Sequence, residues 1–82
     1  MIHLTRHAEK KFTLLARHGF RITHQHVIDT VTMPDKLDYS RLPLLIAHRK
    51  IDRTHVLRVV YKIEKDTIKI ITFYPGRKTQ YE

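Results

Sequence analysis

Apolar and polar positions form their clearest pattern between Val56 and Tyr74, where VLRVVYKI and IKIITFY flank the polar segment Glu64-Lys65-Asp66-Thr67. β-branched and aromatic residues dominate both runs, which predicts a β-hairpin. Centring the turn between Lys65 and Asp66 sets Ile63 opposite Ile68, Tyr61 opposite Ile70 and Val59 opposite Thr72, so that one face is continuously buried. A slip of one residue would set Tyr61 against Lys69 and lose that face. The other face carries Val60, Ile71 and Phe73 beside Arg58, Lys62 and Lys69. Half apolar and half cationic, it is not expected to meet bare water along its whole length. Lys62 opposite Lys69 is a like-charge pair, which costs stability unless solvent screens it or an anion sits between the two.

Upstream, Ile2 to Leu4 has the character of a short strand, and Thr5 is suited to N-cap a helix ending near His18, with Gly19 as its stop. Ala8, Phe12, Leu15 and Ala16 recur at helical spacing as the buried stripe, while Arg6, Lys10 and Arg17 make a basic ridge. His7, Lys11, Leu14 and His18 form a third stripe, which puts His7 at the edge of the sheet. Thr23 is a second N-cap, and Val27, Ile28 and Val31 give a short helix one apolar face before Pro34 ends it. Met33 to Pro43 holds two prolines, two aspartates and a serine, and reads as a loop. Leu44 to Ile51 reads as a strand, Arg53 to His55 as the turn after it, and Pro75-Gly76 as a turn ending the last strand.

These elements predict an α+β fold in which two N-terminal helices pack on one face of a three- to four-stranded antiparallel sheet. Eighty-two residues suit a single domain, 1–82, with a modest core. Sixteen Lys and Arg against eight Asp and Glu give a formal charge of +8, which favours a polyanionic partner without choosing among nucleic acid, an anionic membrane surface and an acidic protein. There is no cysteine, hence no disulfide or thiolate metal site. No apolar run reaches membrane-spanning length and MIHLTRHAEKK lacks the apolar core of a signal peptide, so no membrane association and a cytosolic address are expected. His24 and His26, two apart, point to different helix faces and make a poor metal site, and with two glycines a phosphate-cradling loop is not expected. No cofactor or metal is therefore anticipated.

Thr5-x-His7-Ala8, then His26-Val27-Ile28 running to Met33-Pro34-Asp35, then Leu57-Arg58-Val59-Val60-Tyr61, and finally Ile71-Thr72-Phe73-Tyr74-Pro75 with Arg77 and Tyr81-Glu82 form an ordered set over nearly the whole chain. In that order the set resembles a family of small uncharacterised bacterial and archaeal domains grouped with the RelE, ParE and BrnT toxins of toxin–antitoxin modules. The resemblance implies a RelE-like fold and a cytosolic toxin neutralised by an acidic antitoxin. RelE-like members cut messenger RNA on the ribosome without a metal, whereas ParE-like members poison gyrase and need no active site for RNA.

Cleavage of RNA by its own 2′-hydroxyl needs a proton acceptor, a proton donor and cations against the phosphate. Arg58 and Arg77 are the candidates for a phosphate clamp because guanidinium grips phosphate oxygens in a fork. Tyr81 is a candidate for stacking a base or donating a proton, and His7 or His48 for exchanging protons near neutral pH. The catalytic set is thus His7, Arg58, Arg77 and Tyr81, and the nucleic-acid-binding set His48, Arg49, Lys62, Lys69 and Lys78. Two alternatives stay open: a non-catalytic ParE-like or nucleic-acid-binding module, and an interaction protein whose half-apolar sheet face is covered by an antitoxin helix or by a second copy of itself.

Overall fold

A computed structural model describes residues 1–77. Its elements run β1 (Ile2–Leu4), α1 (Arg6–Arg17), α2 (His24–Thr32), β2 (Lys36–Asp38), β3 (Leu45–Lys50), β4 (His55–Glu64) and β5 (Thr67–Arg77). The fold is α+β, but the described sheet has five strands in the order β1-β5-β4-β3-β2. It is mixed rather than antiparallel, because β1 runs parallel to β5 while the other pairs are antiparallel.

Local chemistry explains both helices. Thr5 accepts a hydrogen bond from the Ala8 amide at 3.2 Å and caps α1. At the other end Gly19, at φ 87, closes the turn as the Phe20 and Gly19 amides donate to the Leu15 and Ala16 carbonyls at 2.9 and 3.1 Å. This is a Schellman stop, with Phe20 and Leu15 both packed on the core. At the start of α2 the Thr23 hydroxyl accepts from the His26 amide, and His26 Nδ1 accepts from the Thr23 amide, each at 3.1 Å. A histidine here fills the place that Glu or Gln usually takes in a capping box.

Both helices cover one sheet face. Phe12 of α1 meets Phe73 of β5 with ring centroids 4.7 Å apart, and the core joins Ala8, Val27 and Val31 to Ala47, Leu57, Val59, Ile70 and Phe73. Burying these side chains supplies the main driving force for folding.

Four expectations are corrected. The segment read as a loop contains β2, whose Leu37 packs on the core as the Cα partner of Ala47. The last strand does not end at Pro75-Gly76; it continues to Arg77. Among the described residues β1 reaches only to the Leu4 and Ile70 pair, so Pro75 lies beyond the part of β5 that β1 covers, where a strand tolerates a residue without an amide. His55 opens β4 instead of completing the preceding turn. The hairpin keeps the expected pairs Ile63 with Ile68 and Tyr61 with Ile70, but Val59 then faces Phe73 and Val60 faces Thr72. Ile71 is an extra residue, a β-bulge, and it moves Phe73 from the expected cationic face into the core.

Candidate nucleic-acid interface

The sheet face away from the helices carries a row of polar side chains across four strands. Lys36 is the Cα partner of His48, His48 of Arg58, and Arg58 of Tyr74. Cross-strand partners project to the same side, so the four stand next to one another at the sheet spacing of roughly 5 Å. The Arg58 guanidinium lies over the Tyr74 ring, 5.3 Å from its centroid. That contact holds the guanidinium against the ring face and keeps its charge.

His48 is the buried member, only 6% exposed, and both its ring nitrogens and Arg58 Nε are shielded from solvent. Burial, reinforced by the Arg58 and Lys36 charges, lowers its pKa from the ordinary 6.5, and nearby Asp38 opposes this in part. At neutral pH His48 is therefore a neutral imidazole beside a fixed cation. Asp38, also on this face, has its carboxyl held below the usual range, first by hydrogen bonding from Ser40 and more weakly by His48 and Arg58. The Ser40 amide donates to Asp38 Oδ1 at 2.8 Å.

Further along the same face, Lys62 and Lys69 are the expected cross-strand pair. Glu64 reaches both, at 3.7 Å from Lys62 Nζ and 3.6 Å from Lys69 Nζ. The anion that the like charges call for is supplied by the chain itself. His3 of β1 is the Cα partner of Lys69 and extends this second row.

Other candidates are not brought together here. His7 is exposed on the outer side of α1, where a shallow concavity of about 540 Å³ is lined by His7, Lys10, Lys11, Thr13, Leu14 and Arg17. The helices and Arg58 lie on opposite faces of the sheet, so His7 and Arg58 are not brought together. Arg49 alternates onto the helix-side face and its Nη1 donates to the Met33 carbonyl at 2.7 Å, fastening the end of α2. Arg77 pairs in register with His55, three positions beyond Tyr74. By strand alternation it belongs to the face opposite Arg58, so the register does not assemble those two arginines into one clamp. Lys78 and Tyr81 lie outside the described residues.

Two members of the row, Lys36 and Tyr74, were not singled out in the sequence. Lys36 sits in a strand too short to show periodicity. Tyr74 is found only once the bulge is known, although the break in alternation at Ile70-Ile71-Thr72 is a signal for it.

Among the described residues no three His, Asp or Glu side chains gather as metal ligands, and no helix is long and apolar enough to cross a membrane. Comparison with protein-family models, with curated proteins and with solved structures yields no match.

Proposed function

We propose that this chain is the RelE-like toxin of a toxin–antitoxin module, a cytosolic, metal-independent endoribonuclease acting on messenger RNA and neutralised by an acidic antitoxin. The observation that carries this reading is the adjacency of His48 and Arg58, a neutral imidazole and a guanidinium held against a ring face, on a sheet face that neither helix covers. Neutral His48 takes the proton of a 2′-hydroxyl while the oxygen attacks the adjacent phosphorus. Arg58 opposes the charge gathering on the phosphoryl oxygens. The bond to the 5′-oxygen breaks, that oxygen receives a proton, and the products are a 2′,3′-cyclic phosphate and a free 5′-hydroxyl. Tyr81 is the proposed proton donor, and Lys36, Lys62 and Lys69 add electrostatic attraction for the RNA.

A second reading, a ParE-like or nucleic-acid-binding module without catalysis, draws on the burial of His48. An imidazole that stays shielded orders Arg58 rather than exchanging protons with a substrate.

The deciding experiment incubates purified protein with RNA, with and without ribosomes, in the presence of a chelator. The expected result is cleavage that leaves cyclic phosphate ends and is lost in Arg58→Ala and His48→Gln. RNA that is bound but left intact in both settings overturns the nuclease reading in favour of the second.

A further inference from the structure

The second row of the face away from the helices has an arrangement that a merely solvated surface does not require. Lys62 and Lys69 face each other across β4 and β5, and one carboxylate, that of Glu64, bridges both. Neither contact reaches hydrogen-bonding distance, and the three side chains are 34%, 37% and 51% exposed. Ion pairs of this kind are worth little individually, so the carboxylate is held where two cations converge without being locked there.

We propose that Lys62, Lys69 and His3 form a phosphate-binding subsite for single-stranded RNA, occupied in the free protein by Glu64, which a backbone phosphate displaces. The inference rests on the reading of this face as an RNA interface, though not on cleavage. A phosphodiester carries the same charge as the carboxylate, and its two non-bridging oxygens can accept from both ammonium groups at once. His3, beside Lys69 in register, can add a ring N–H donor to the phosphate.

The position of the subsite supports one continuous ligand. Lys62 stands four residues from Arg58 on the same side of β4, about 13 Å along the strand. Between the two rows lie Val60 and Thr72, half-buried partners across β4 and β5, and their row continues through the buried Ile46 to Asp38 of β2. The uncharged Val60 and Thr72 pair, between Arg58 on one side and Lys62 with Lys69 on the other, suits a base or ribose flanked by phosphates. Glu64 then acts as a built-in competitor that weakens RNA binding until it is pushed aside.

The test is binding of a short fluorescein-labelled oligouridine, followed by anisotropy in chelator across a salt series. Glu64→Gln is expected to tighten binding roughly threefold to tenfold and to steepen the logarithmic salt dependence by about one unit. Lys62→Ala with Lys69→Ala should weaken binding, and Glu64→Gln added to that pair should change it by less than about twofold. Asp29→Asn, on α2, removes the same charge at a distance and serves as the control. Equal gains from Glu64→Gln and Asp29→Asn, or a full gain from Glu64→Gln without the lysines, would reduce the effect to net charge and overturn the subsite. No oligouridine binding at all, or a larger gain for a poly-glutamate peptide than for the RNA, would also overturn it. Binding that follows the expected pattern in a protein that never cleaves would leave the subsite standing and remove only the nuclease proposal.

Discussion

The Thr5 hydroxyl donates to the Ile71 carbonyl at 2.9 Å while accepting from the Ala8 amide at 3.2 Å. One side chain thus fastens the bulge of β5 and starts α1, and the Thr5 amide adds a bond to the Ile70 carbonyl at 3.0 Å. A bulge leaves a carbonyl outside the ladder, and this one is satisfied by the residue that links β1 to the first helix. Thr5→Val keeps the shape and removes both side-chain bonds. With about 1 kcal/mol for the cap and about 1 kcal/mol for the bulge bond, the loss should be roughly 2 kcal/mol. In a domain of this size that lowers the melting temperature by roughly 8–16 °C. Thr5→Ser should remain close to wild type, and thermal unfolding of the two variants checks the assignment.

The same bulge gives neighbouring residues opposite fates. Phe73 is fully buried against Phe12, whereas Ile71 is only half-buried. Phe73→Ala should cost about 3–5 kcal/mol through lost transfer energy and an unfilled cavity, and Ile71→Ala less than about 1.5 kcal/mol. Urea unfolding of the pair tests the register directly. Strict alternation through Thr72 would place Phe73 and Ile71 on one face and predict similar costs.

Alternation, caps and stops are local properties, and wherever they governed the outcome the structure was legible. Thr5, Gly19, Thr23 and the Lys65-Asp66 turn all stand where their chemistry put them. What stayed hidden depended on distant partners. β2 has three residues and becomes a strand because β3 offers an edge to it, a pairing no short segment announces by itself. The parallel place of β1 beside β5 likewise joins residues more than sixty positions apart. The candidate site divided in the same way. Arg58, Lys62 and Lys69 share a face by simple alternation along β4 and β5, but the parting of Arg58 from Arg77 follows from an extra residue and from a strand that runs on through proline.

His48 should leave a signature in the pH dependence of stability. Its pKa in the folded protein is lowered, first by burial and then by Arg58 and Lys36. The unfolded chain therefore binds a proton at His48 before the folded one does, and stability falls as pH drops from about 6.5 toward the lower folded value. Above the unfolded pKa the contribution is fully present. Asp38 and Asp52, whose pKa values are lowered from 3.8, act only in a more acidic window. His48→Asn should flatten the slope of stability against pH just below 6.5, measured by denaturant titration at a series of pH values. An unchanged slope in the variant would show that His48 is not desolvated.

Arg58 offers the sharpest separation of charge from geometry. A lysine in its place keeps the positive charge but has neither the planar fork nor the flat surface that lies over Tyr74 at 5.3 Å. If Arg58 acts by holding phosphoryl oxygens in a fixed orientation, Arg58→Lys should lower cleavage about 100-fold, in the range seen when one preorganised charge stabiliser is lost. RNA binding should weaken by no more than about threefold, because the phosphate attraction is mostly Coulombic. Tyr74→Phe preserves the aromatic face and should retain most activity, while Tyr74→Ala should fall between wild type and Arg58→Lys. Single-turnover cleavage and anisotropy on the same preparations separate the two effects. Equal losses in binding and cleavage would instead make Arg58 one more contributor to a cationic surface, and the contact with Tyr74 would have no catalytic consequence.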